Sequence, residues 1–142
     1  MAAVVNICVD PRLNHEVIRA QVAQKLERLG VVEQRIFITN DVGGNIGSAF
    51  RNTVTMLKER QQEEVVLVAA FDHDDCIAAR SGMRRLPEAN RQEMENVAAA
   101  AGLHCPMLTG SILTENSVVR WTDEPSGPAS SFSMPAMPRM YG

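Results

Sequence analysis

Two kinds of apolar pattern alternate along the chain. Ala3–Ile7 and Val65–Ala70 are nearly continuous runs of Val, Ile, Leu and Ala bounded by polar residues, as expected of strands buried on both faces of a parallel sheet. Between them the period lengthens. Leu13 to Gly30 carries Leu13, Val17, Ile18, Val22, Leu26 and Leu29 as one stripe, with Arg19, Lys25, Glu27 and Arg28 off it. That spacing predicts an amphipathic helix, which Gly30 stops. Arg35–Thr39 reads as a second strand, and Ile46–Gln61 as a helix burying Ile46, Phe50, Val54 and Leu57. Beyond a solvated connection at 61–64 comes the Val65 strand, then a basic excursion over 78–87 and an Ala-rich helix from Glu88 to Ala101, ended by Gly102. Met107–Leu113 and Val118–Trp121, turned at Asn116, read as a hairpin that caps one sheet edge.

Strands alternating with helices predict an α/β fold. The expectation is a single three-layer domain with a mainly parallel central sheet in the order 2-1-3-4-5 and helices on both faces. It spans residues 1–124. Residues 125–142 form an irregular Pro/Ser/Met-rich tail without periodicity, whose Met134, Met137, Met140 and Tyr141 could dock on the body or a partner.

Composition narrows the function classes. The chain of 142 residues is 45% hydrophobic and 22% charged, as in an ordinary globular domain. A net charge of −3 without a basic run argues against nucleic acid. The apolar start is broken by Asp10 and is too short to span or target a membrane. Three cysteines, an odd number without an export signal, favour a reducing, cytoplasmic setting and metal over disulfides. Cys105, before Pro106, has no partner at metal spacing and reads as structural.

The chemistry concentrates in two loops that follow strands: Cys8-Val9-Asp10-Pro11-Arg12 and Phe71-Asp72-His73-Asp74-Asp75-Cys76. If the two strands are neighbours, both loops leave the carboxyl edge of one sheet, where open α/β sheets build their sites. Two thiols and an imidazole would converge there, a zinc set with one position left open. Taken alone, His-x-x-Cys is a weak metal signal, and a strand-end Cys is often a small buried hydrophobe. The Gly-rich stretch Gly43–Gly47 fits neither G-x-G-x-x-G nor the P-loop pattern. It reads either as a backbone requirement for glycine or as an anion cradle. His15, at a helix start near these loops, is a candidate proton shuttle or simply a solvated side chain.

Cys-x-Asp-x-Arg after the first strand and His-x-x-Cys after a later one resemble the two signatures of the beta-class carbonic anhydrases, a family that includes carbonyl sulfide and carbon disulfide hydrolases. The resemblance covers roughly residues 3 to 122. It implies zinc held by Cys8, His73 and Cys76, with Asp10 and Arg12 as the catalytic pair beside the metal. Asp10 either orients a zinc-bound hydroxide or, in a closed state, becomes the fourth ligand. The implied activity is hydration or hydrolysis of a small linear electrophile, with CO₂ first and COS or CS₂ next. Asn40, Gly43, Gly44 and Phe71 are the candidate pocket residues, and a homodimer or higher homo-oligomer is implied. Thr39 before Asn40, Asp74-Asp75 inside the His-x-x-Cys and Ile77 after it depart from the family pattern. Arg80, Arg84 or Arg85 could hold the two carboxylates, or could form an anion site. These departures keep two alternatives open: a non-catalytic zinc-binding or redox-sensing homologue, and a phosphate- or nucleotide-binding module built on Gly43–Gly47.

Overall fold

The computed structural model describes residues 1–61, 64–71, 82 and 87–122. Five strands form one sheet in the order β2-β1-β3-β4-β5. They are β1 (Ala2–Cys8), β2 (Ile36–Asp41), β3 (Val65–Phe71), β4 (Met107–Ile112) and β5 (Val119–Trp121). The β1–β2, β1–β3 and β3–β4 pairs are parallel, and β5 runs antiparallel to β4 at one edge. The expected α/β architecture and strand order are both present. The tail, 125–142, lies outside the described residues.

The faces follow from the period of two along each strand. Ala3, Val5 and Ile7 of β1, with Val66, Val68 and Ala70 of β3, pack against Ile18, Val22 and Leu26 of α1 (His15–Glu27). On the other face Ala2, Val4, Val65, Leu67 and Ala69 meet Phe50 and Val54 of α2 (Ser48–Met56) and Met94 and Val97 of α3 (Pro87–Ala100). This division has a topological cause. Right-handed crossovers that move in opposite directions along a sheet put their helices on opposite faces. The step from β1 to β2 carries α1 to one face, and the steps from β2 to β3 and β3 to β4 carry α2 and α3 to the other. Direction reverses between β1 and β3, so the switch point of the sheet lies at the ends of Cys8 and Phe71.

Several boundaries differ from the sequence expectation. Helix α1 starts at His15, capped by the Asn14 carboxamide oxygen, which accepts from the Val17 N–H at 3.3 Å. It ends at Glu27 in a Schellman turn: Val31 N–H to Leu26 C=O at 3.1 Å, Gly30 N–H to Glu27 C=O at 3.0 Å, and Gly30 at φ 87°. Leu29 therefore falls beyond the helix and is exposed, and so is Val17, about 100° round the helix from Ile18. Helix α2 begins at Ser48 and passes at Leu57–Gln61 into a π-helical turn. Strand β2 runs two residues past Thr39, which places Asn40 and Asp41 on the sheet rather than in a loop.

Candidate functional site

Cys8 ends β1 with its side chain buried, 1% exposed. The β1–β3 register pairs Ile7 with Ala70, so the Cys8 end of β1 and the Phe71 end of β3 lie side by side at the carboxyl edge. On the other flank Cys8 is in register with Asp41, and the Val9 N–H donates to the Asp41 carbonyl at 3.1 Å. The Cys8–Arg12 loop thus rises from the switch point. His73 and Cys76 lie outside the described residues, as do Asp74, Asp75, Ile77, Arg80, Arg84 and Arg85. Among the described residues no group of three or more His, Cys, Asp or Glu side chains is placed to hold a metal ion.

Asp10 and Arg12 are brought together. Arg12 donates its backbone N–H and its Nε–H to Asp10 Oδ1 at 2.9 and 3.1 Å, and its Nη2 to Oδ2 at 2.9 Å. The Asp10 side chain is 1% exposed and that of Arg12 38%. A carboxylate oxygen has about two acceptor positions. Arg12 fills both on Oδ1 and takes one on Oδ2. The Leu13 N–H closes the turn on the Asp10 carbonyl at 3.1 Å.

The glycine stretch is pinned from beneath. Asn6, fully buried in the middle of β1, donates from Nδ2 to the carbonyls of Gly44 and Asn45 at 2.9 and 3.0 Å. Its Oδ1 accepts from the Thr39 hydroxyl at 2.7 Å. Asn90 of α3 completes the hold: its Oδ1 accepts the Ile46 N–H at 3.0 Å and its Nδ2 donates to Asn45 Oδ1 at 3.1 Å. The Asn45 N–H goes to Val42 C=O at 3.1 Å. Two N–H groups of the stretch are engaged and two of its carbonyls turn onto Asn6, so Asn6 and Asn90 hold its backbone as a strut. Gly43 and Gly44 have φ of 66° and 73°, which accounts for glycine at both.

Of the candidate pocket residues, Gly43 and Gly44 are buried, and Asn40 is exposed with its Nδ2 donating to Ile7 C=O at 3.3 Å. Phe71 is the last residue of β3. Asn6, Asp41 and Asn90 escaped the sequence reading. Asn6 did leave a signal, as the single polar residue inside the first apolar run.

Cys105 is half-buried against the α2–α3 face, and burial pushes its thiol pKa up. It borders an open cavity of about 770 Å³ at the amino edge of the sheet, with Met1, Val65 and Pro106 among the lining residues. That is the opposite edge from Cys8, in keeping with a structural cysteine.

Comparison with protein-family models and with curated proteins gives no match for this chain. The functional reading therefore rests on the sequence motifs and on the geometry at the carboxyl edge. Among the described residues no helix is long and apolar enough to cross a membrane.

Proposed function

We propose that the chain is a zinc enzyme of the beta-class carbonic anhydrase type, acting in the cytoplasm on a small linear electrophile, CO₂ before COS or CS₂. Cys8, His73 and Cys76 would hold the ion. The observation that carries this reading is the three-point grip of Arg12 on Asp10, two residues beyond a buried thiol at the sheet's switch point. The donor set fits zinc, since thiolate and imidazole are its preferred ligands. When bound, zinc supplies a Lewis acid that brings the pKa of a coordinated water toward ~7.

The chain's own residues do the rest. Arg12 fixes the plane of the Asp10 carboxylate through charge-assisted bonds, which are stronger and more directional than neutral ones. Asp10 Oδ2 then accepts a hydrogen bond from the attacking water or hydroxide and turns a lone pair toward the substrate carbon. The Arg12 grip on both oxygens supports the orienting role, and in the closed state Asp10 would instead be the fourth ligand. The Asn6-pinned strut and the Asn40 side chain shape the neighbouring wall. Exposed Val9, Val42 and Val118 sit round the same edge and suit a second copy of the chain, as a homodimer or higher homo-oligomer.

Stopped-flow CO₂ hydration, with sulfide release from COS and CS₂ as parallel arms, tests the activity. Turnover proportional to bound zinc supports the proposal. Zinc-loaded protein without turnover in any arm overturns it and leaves a zinc-binding or redox-sensing scaffold.

A further inference from the structure

We infer that Ser117 is a positioning residue for the Cys8–Arg12 loop, an inference that rests on the reading of that loop as the reaction site. Ser117 lies in the β4–β5 turn, far from the loop in sequence. Its backbone has φ 58°, and it is the one non-glycine among the described residues with positive φ. Side chains other than Asn and Asp are disfavoured there, whereas glycine adopts the conformation without steric cost. What serine supplies and glycine lacks is a hydroxyl. That hydroxyl is used: Ser117 Oγ accepts the Asn14 N–H at 2.8 Å, at a residue only 4% exposed.

Asn14 is the cap of α1 and the end of the segment that carries Asp10 and Arg12. The loop is thus fixed at its start by the Val9 N–H on Asp41 and at its finish by the Asn14 N–H on Ser117. The turn is itself held. Gln21 of α1 donates from Nε2 to the Ser117 carbonyl at 2.8 Å and accepts the Val119 N–H on Oε1 at 2.9 Å. The Ser117 N–H closes on Leu113 C=O at 2.9 Å. Hairpin, helix and site loop form one clamp, in which Ser117 Oγ is a direct hydrogen-bonded contact with the end of the loop. An unfavourable backbone conformation that persists where it orients a site points to a functional role.

Ser117→Gly and Ser117→Ala separate the hydroxyl from the backbone. Both remove Oγ, but only glycine relieves the φ. The expected result is faster amide hydrogen exchange at Asn14 and at Arg12 in both variants, with kcat for CO₂ hydration lowered about 10-fold in both. KM and zinc content should stay within about twofold of wild type, and the Gly variant should melt above the Ala variant. Activity that follows melting temperature, normal in Gly and reduced in Ala, would make Ser117 a structural residue only and overturn the inference. Unchanged exchange at Arg12 in both variants would overturn it as well. If wild-type protein hydrates nothing, the functional reading fails separately, and the Arg12 exchange still decides whether Ser117 positions the loop.

Discussion

Arg12 holds both carboxylate oxygens of Asp10 from two residues away, through its backbone N–H, Nε and Nη2. A contact this local forms within the loop itself, and the Asn14 N–H on Ser117 Oγ restrains the loop that carries it. Pro11 between them fixes its own φ near −65° and narrows the conformations open to the turn. The Cys-x-Asp-Pro-Arg segment thus encodes the pairing, and the fold delivers it to the switch point and anchors it at both ends, by Val9 on Asp41 and by Asn14 on Ser117.

Gly47 is required by contact and not by backbone conformation. An added Cβ would lie 2.7 and 2.8 Å from the Asp41 carboxylate oxygens. Gly47→Ala is expected to displace Asp41 and destabilise by about 1–3 kcal/mol, the usual range for overpacking. Much of that loss should vanish in an Asp41→Ala background, as a double-mutant cycle of chemical denaturation would read. Equal losses in both backgrounds would contradict the contact.

Asn6→Val removes the strut under Gly44 and Asn45. It leaves two carbonyls without their described donor, and each such loss in a buried setting costs about 1–3 kcal/mol. The expected outcome is a clear fall in melting temperature, together with faster exchange across residues 43–46. A variant as stable as wild type would show that solvent satisfies these carbonyls.

Cys105 carries a pH signature. Burial raises its pKa, so the fold disfavours the thiolate. Its contribution to stability is full below the unfolded thiol pKa and is lost as pH rises through the folded value. Peptide-resolved alkylation should proceed more slowly at Cys105 in folded than in denatured protein near pH 8, with the folded profile displaced to higher pH. Coincident profiles would contradict the burial.

The strands were legible because residues buried on both faces leave unbroken apolar runs. In α1, Ile18, Val22 and Leu26 were read correctly. Leu29 was not, since the Gly30 turn takes it out of the helix before it can reach the core. Asp10 and Arg12 were picked out by the resemblance of Cys-x-Asp-x-Arg to the beta-class signature, and the structure pairs them within the loop. Asn6–Thr39 and Asn90–Ile46 were not, because a residue's partner 33 or 44 positions away leaves no periodic trace. Ser117 was hidden by Asn116, the more usual left-handed residue, whose side chain instead accepts the Val118 N–H at 3.1 Å.

The most direct test of the proposed chemistry is CO₂ hydration per bound zinc, measured on wild type and Asp10→Asn with the metal counted in the same samples. The substitution keeps the shape of the side chain but replaces an acceptor with an amide that can donate. The account predicts about one zinc per chain in both proteins, and turnover per zinc lower by roughly 10–100-fold in the variant. Equal turnover per zinc, with only the melting temperature lowered, would reduce Asp10–Arg12 to a structural ion pair and contradict the mechanism.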